Sequence, residues 1–417
     1  MTRRVLSYLG LLMLLPCIRA AHAQTHVHQG ATETTLYVWA GDDARKSPDF
    51  LSVVNFDEAS PDYGQVLRTV PLPGPGNAGN EPHHCHLSAD GNVLACGGLL
   101  SVLKGQDDIF FFDVSQAGDP KLIKATRAPH ASIIDDFYPL PAGGFLVSAM
   151  GSETGGAPGR ILEFDPSLNL VKEWPENPPA DGFNPHGISV RPDLNLMVSA
   201  DFLNPITTIS AANLPLTVRA SIRIWNLERR EIVRTVALPP GVGTMEVDLI
   251  PGDPKGRAVT NGMFDGKMYL IDPNQGTAQP VFDYSTISSA TTVPGGLPQL
   301  MEFSADGKRL FVTQLQTGKL LMFDFSNPEA PALLSTVDLG PNAGPHHLHL
   351  THDGARLVVS GYFLNQDDFG VVHFDGDRKI HVVKVGPNSM ALDPRFQLDF
   401  NTAFATGPAR PHGIAMK

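Results

Sequence analysis

The chain has 417 residues, 42% hydrophobic and only 18% charged, which excludes a disordered chain and leaves room for a large core or two ordinary ones. Its formal net charge is −12, and acids outnumber bases 43 to 31, so the balance argues against a nucleic-acid or anionic-membrane partner, either of which needs a basic face. Forty glycines and 36 prolines, spread along the whole length, indicate many turns between short strands.

The chain opens as a leader. Arg3 and Arg4 give a basic start, Val5 to Pro16 is mostly apolar, and Ala21-His22-Ala23 offers a small-residue cleavage site. Residues 1–23 therefore read as a signal peptide, and export to the periplasm is expected. The apolar stretch is short for a membrane span, so no membrane partner is expected once the leader is cut. Residues 24–34 read as a lead-in. Three strands are expected next, over 35–40, 51–57 and 66–72.

From residue 82 onward one pattern recurs. Pro82 to Leu99 (PHHCHLSADGNVLACGGL), Pro298 to Gln314 (PQLMEFSADGKRLFVTQ) and Pro345 to Tyr362 (PHHLHLTHDGARLVVSGY) each show an alternating strand, an Asp-Gly turn and a returning strand. Asn184 to Ala200 and Met245 to Thr260 keep the frame, with Asp193 and Asp253 at the turn. The copy opening at Pro129-His130 is irregular, and the last, Pro411 to Met416, is cut to one strand. A third strand often follows, ending in an aromatic and an Asp, as in Phe110-Phe111-Phe112-Asp113. Seven such copies match the period of four-stranded propeller blades. The predicted fold is an all-β, seven-bladed β-propeller over 35–417. N-terminal strands complete the C-terminal blade and remove the free edges of the ring. Cys85 and Cys96 fall on successive strands of one hairpin; an exported chain could join them, and two buried thiols fit the pattern equally.

The first strand of each propeller blade lines the axis. Counting back seven residues from each turn Asp, and taking the Pro-His phrase where the frame is irregular, stacks His83, His130, His186, Glu246, Gln299, His346 and His412 in one ring. Imidazoles gathered at one place suit copper, iron or zinc. His84 and His347 enrich two of the copies, although strand alternation turns neighbours to opposite faces unless the strand bends. His86 and His349 read as blade packing, and Asp135 and Asp136 as solvated loop acids. Glu246 is the candidate catalytic base, or else a carboxylate ligand.

Pro82-His83-His84, Pro129-His130-Ala131, Thr244-Met245-Glu246-Val247 with Pro251 and Pro254, and Ser221 to Asn226 with Arg234 together resemble the selenium-binding protein / methanethiol oxidase family. So do Phe303 to Leu310 and Asp393-Pro394 to Phe400. The resemblance implies a seven-bladed propeller and, in bacterial members, a periplasmic copper-dependent oxidase that takes methanethiol, oxygen and water to formaldehyde, hydrogen sulfide and hydrogen peroxide. It implies metal ligands at His83, His84 and His130, and after them at His346, His347 or His412. The family's Cys-x-x-Cys element has no match here, so the metal chemistry carries over better than the thiol substrate. The expected partners are a small-molecule thiol and O2. A copper-handling propeller without enzymatic activity and a metal-assisted lyase or hydrolase are the competing readings.

Overall fold

The computed structural model describes residues 32–210, 215–287, 291–366 and 372–417. The leader expected over 1–23, and the lead-in through residue 31, lie outside the described residues.

Seven antiparallel sheets form the blades of a propeller. Six blades are four-stranded. The blade that begins with Pro345–Leu350 has a fifth short strand, and a hairpin of Phe363–Gln366 with Val372–Asp375 is inserted between its second and third strands. The ring closes as the sequence predicts: Thr35–Asp42, Phe50–Asn55 and Val66–Pro71 join Ala409–Met416 in one sheet. Backbone bonds from Thr34 and Thr35 to the Lys417 carbonyl (2.9 and 2.8 Å) and from Lys417 to the Thr35 carbonyl (2.9 Å) seal the seam.

Local chemistry explains the repeat. In three blades a Ser or Thr two residues before the turn Asp donates its hydroxyl to that Asp: Ser88 to Asp90, Ser304 to Asp306 and Thr351 to Asp353. The following glycine, Gly91 in the first of these turns, has φ of 68°, a region costly for any other residue. The aromatics of the third strands fill the space between blades. Phe111 meets Phe164 of the next blade edge to face at 5.3 Å. The Asp that ends those strands accepts a backbone N–H two residues on, as Asp113 does from Ser115 at 2.9 Å. Outermost strands such as Lys121–Thr126 alternate exposed and half-buried residues. Cys85 and Cys96 sit directly opposite each other and are joined as a disulfide. Among the described residues no helix is long and apolar enough to cross a membrane.

One irregularity, shared by all the blades, positions the site. Where the inner strand enters each sheet it carries a bulge. Pro82 faces Gly98 and Cys85 faces Cys96, so His83 and His84 together oppose the single residue Gly97. The same shift falls between Pro185 and Ile188, Thr244 and Val247, Pro298 and Met301, Pro345 and Leu348, and Ile134 and Phe137. In the closing blade Pro411 faces Ala40 and Gly413 faces Trp39, which leaves His412 as the extra residue. A bulge suspends alternation. Neighbouring side chains therefore turn to the same axis, and the limit that alternation was expected to place on the His-His pairs does not apply.

Candidate metal centre

The bulges hold two tiers of side chains. The first position of each gives His83, Asp135, His186, Met245, Gln299, His346 and His412. The second gives His84, Asp136, Gly187, Glu246, Leu300 and His347, with Gly413 in the closing blade.

Six of the seven histidines expected as ligands meet here. One ring nitrogen from each of His83, His84, His346 and His412 lies within 4.8 Å of the other three, and His83 is shared with a second group, His83, Asp135 and His186. His83, His84, His186, His346, His412 and Asp135 are buried, and His347 is half-buried. His84 Nε2 is 3.4 Å from His346 Nε2. Four nitrogens at a metal–nitrogen distance of about 2.05 Å stand roughly 3.3 Å apart in a tetrahedron, the spacing that this His84–His346 pair already has. His347 stacks on His84 with ring centroids 4.5 Å apart, but its Nδ1 accepts the Ile414 N–H at 3.2 Å, which turns it from the cluster toward the lower passage.

Two expected positions are corrected. His130 stands outside the ring. Its side chain is 67% exposed, its nearest acid is Glu153 at 3.6 Å, and its backbone N–H donates to Glu173. The reason is the length of its blade's inner strand: Ala131–Pro139 has nine residues, and its bulge falls between Ile134 and Phe137, downstream of the Pro-His phrase. Asp135 takes the place assigned to His130, and it is fully buried rather than solvated. Glu246 lies in the second tier, with Met245 in the ring. Here the hairpin turn is two residues longer: Leu249 pairs with Ala258, whereas Leu87 pairs with Leu94, so a fixed count from Asp253 lands one residue late. Two signals could have located Asp135 and Met245. An acid pair at 135–136 sits inside the apolar run Ile133-Ile134 and Phe137-Tyr138, and the turn after Leu249 is visibly expanded by Pro251 and Pro254.

The surroundings fix how the imidazoles present themselves. His83 donates from Nδ1 to the Ile134 carbonyl at 2.9 Å, and His346 donates from Nδ1 to Gln299 Oε1 at 2.8 Å. Both therefore leave Nε2 as the free lone pair. Asp135 is approached by His84 Nδ1 and His186 Nε2, each at 3.1 Å, and by His83 Nδ1 at 3.5 Å, yet neither carboxylate oxygen accepts a well-aligned hydrogen bond. Burial holds His83 and His84 down to about 4 and pushes His186, His346, His347 and His412 well below the usual imidazole value. All six are neutral at pH 7, the state that ligates metal. Burial pushes the Asp135 carboxyl up to about 7, against the pull of His83. Glu246 is driven far above the carboxylate range by burial, then by Asp136, Asp248 and Asp135. Its Oε1 fills the space left by Gly187, where any Cβ would collide with it.

The donor set fits a metal on one further observation. Both nitrogens of His412, Nδ1 of His186, both oxygens of Asp135 and Nε2 of Gln299 are buried without a hydrogen-bond partner. Leaving that many polar atoms unpaired costs about 1–3 kcal/mol each, and lone pairs converging on one point relieve it by binding a cation. Imidazole donors point to copper, zinc or iron.

Opposite tiers face different spaces. Above the ring lies a chamber of about 780 Å3 whose floor includes His83, His186, His346 and His412. Below it a smaller passage of about 360 Å3 is lined by His84, His86, Asp136, Glu246, Asp248, Glu302, His347 and His349. His86 and His349 thus face this passage, where His349 lies 3.2 Å from the Glu302 carboxylate.

The profile of the 56 kDa selenium-binding protein family (SBP56) matches residues 19–417. The chain belongs to that family. Its curated relatives include the methanethiol oxidase of Rattus norvegicus, 23% identical across 88% of this chain and 89% of the relative, and that of Hyphomicrobium sp., 22% identical across 89% and 87%. Selenium-binding protein 2 of Arabidopsis thaliana is 21% identical across 92% and 90%. Among solved structures, a hypothetical selenium-binding protein from Sulfolobus tokodaii superposes with a TM-score of 0.75 at 20% identity, covering 93% of this chain and 94% of its own. At that identity the superposition speaks for the propeller fold.

Proposed function

We propose that this SBP56-family chain is a copper-dependent oxidase of small thiols, exported to the periplasm, that converts methanethiol, oxygen and water to formaldehyde, hydrogen sulfide and hydrogen peroxide. The observation that carries the reading is the convergence of four buried, neutral imidazoles with unpaired lone pairs, in a chain whose relatives are named methanethiol oxidases. The basic, apolar leader at residues 1–23 supports export.

His83, His84, His346 and His412 would hold the metal, with His186 and Asp135 at its side. When bound there, copper would supply the one-electron chemistry that couples thiol oxidation to reduction of oxygen. The Ile134 carbonyl and Gln299 keep His83 and His346 in the tautomer that offers Nε2. Asp135, its carboxyl raised by burial to about 7, can take the thiol proton on Oδ2, where His186 Nε2 lies 3.1 Å away. Glu246 has its carboxyl protonated by burial and neighbouring acids, and it holds a proton beneath the ring on the side of the lower passage. The floor histidines are buried at the base of the largely apolar chamber.

The test is oxygen uptake and peroxide release with methanethiol, using protein shown to hold copper. Turnover that disappears in His346→Ala is expected. Full copper occupancy with no oxygen uptake from any thiol would overturn the oxidase reading and leave a copper-handling protein.

A further inference from the structure

The chamber over the histidines is much larger than methanethiol. It measures about 780 Å3, within the roughly 300–1,000 Å3 range of sites that enclose drug-sized ligands, whereas methanethiol has two non-hydrogen atoms. Its walls are apolar: Ile133, Met150, Phe202, Leu203, Met263 and Phe264 belong to one buried cluster or pack against it. Aromatic rings flank the floor. Phe202 meets His186 edge to face at 5.5 Å and stacks with Phe264 at 6.4 Å, and Phe363 meets His346 at 5.2 Å. Among the described residues lining the chamber there is no Lys, Arg, Asp or Glu; its polar side chains are the floor histidines, Thr208 and Gln316.

These features define a substrate class. A thiol bearing a carboxylate or an ammonium would leave that charge without a partner among apolar walls, a large penalty. A two-atom thiol would leave most of the apolar surface facing water. A neutral thiol with an extended alkyl or aryl group puts its sulfur at the histidine floor and its apolar group against the walls, and gains about fourfold in affinity for each methylene it buries.

We infer that the preferred substrate of this site is a neutral thiol carrying an alkyl or aryl group of roughly six to ten non-hydrogen atoms. The inference rests on the thiol-oxidase reading above. The reaction keeps the same balance for a primary thiol: one thiol, one oxygen molecule and one water give one aldehyde, one hydrogen sulfide and one hydrogen peroxide. The C–S bond breaks and a C=O bond forms at the same carbon, which loses two electrons, and the oxygen molecule accepts them.

Two measurements test it. In the first, oxygen uptake by copper-loaded protein is followed with methanethiol, 1-butanethiol, 1-hexanethiol, 2-phenylethanethiol, cysteamine and glutathione. KM is expected to fall about fourfold per methylene toward 1-hexanethiol, with 2-phenylethanethiol also favoured and the two charged thiols poor. In the second, calorimetry follows hexyl methyl sulfide, a thioether, binding to wild-type protein and to Met263→Trp and Leu203→Trp, whose added bulk fills the chamber. Binding with a negative heat-capacity change is expected in the wild type, with at least a tenfold loss in the variants. The ratio of kcat/KM for 1-hexanethiol over methanethiol should fall at least tenfold in the same variants, with circular dichroism confirming that they fold. Equal KM values along the alkyl series, a preference for glutathione, or no thioether binding by the wild type would overturn the inference. If no thiol at all supports oxygen uptake while the thioether still binds, the oxidase reading fails and the chamber's apolar preference stands.

Discussion

The entries of two histidine-bearing strands are tied by one buried ion pair, and its removal is the sharpest stability prediction. Glu81 immediately precedes Pro82-His83, and Arg410 immediately precedes Pro411-His412. Arg410 Nη2 lies 2.6 Å from Glu81 Oε2 and Nε lies 3.1 Å from Oε1, a forked pair in which the two residues are each 1% exposed. Tyr362 also donates its hydroxyl to Glu81, and Arg410 donates to the Asp43 carbonyl at 2.7 Å. Glu81→Gln removes the carboxylate charge that faces the buried guanidinium, while the contacts of Arg410 to Asp43 persist. Breaking such a pair costs about 3–5 kcal/mol, and the Asp43 contacts place the loss toward the lower end. An unfolding entropy of about 0.8 kcal/mol per kelvin for a chain of this size turns that into a fall in Tm of about 4–6 °C. Thermal unfolding followed by circular dichroism measures it. Replacing both partners, Glu81→Met with Arg410→Met, should restore at least half of the loss, because the cost lies in the stranded charge. A fall in Tm of less than about 1 °C in Glu81→Gln would refute the assignment of this pair as the clamp between the two strand entries.

Three further outcomes are expected. Asp135→Asn, which removes the charge that His84 and His186 approach at 3.1 Å, should weaken copper binding by about 10–100-fold in a chelator competition while the fold persists. His130→Ala should leave copper affinity unchanged in the same competition, since that side chain is solvent-exposed on the rim. The third concerns pH. Burial raises the Glu33 carboxyl, but the bonds from His352 outweigh it and bring it from 4.5 down to about 2, and His352 is raised above 6.5 chiefly by its bond to Glu33. The Glu33 contribution is complete above 4.5 and lost as pH falls toward about 2, whereas that of His352 is complete below 6.5 and lost as pH rises through its raised value. The destabilisation by Glu33→Gln, about 1–2 kcal/mol after allowance for the exposed half of His352, should therefore peak between pH 4.5 and 6.5 in denaturant titrations.

Much of the architecture was legible because its signals are local. Alternation, the Ser/Thr-x-Asp-Gly turns and the third-strand aromatics each follow from contacts within a blade or between adjacent blades, so they recur with the repeat. Ring closure was legible because the last copy has one strand and the N-terminus has three. The site was legible only where hairpin length stays constant. The count from the turn Asp finds His83, His186, Gln299 and His346, and the short last copy shows His412. It misses Met245, where the turn lengthens, and Asp135, where the strand does. The bulge itself was hidden, since an extra residue leaves the apolar pattern on either side intact while changing which neighbours share the axis. That is why the convergence of His84 with His83 and His346 emerges only from the strand pairing. The fate of Cys85 and Cys96 was likewise open until pairing placed them opposite each other.

The claim on which the rest depends is that imidazoles from blades far apart in sequence hold one metal at the axis. Elemental analysis of the protein, purified from cells grown with copper, tests it directly when set beside a folded His346→Ala, His412→Ala double variant. One copper per chain in the wild type and little in the variant is the predicted result. Equal copper in the two proteins, or none in either, would contradict it.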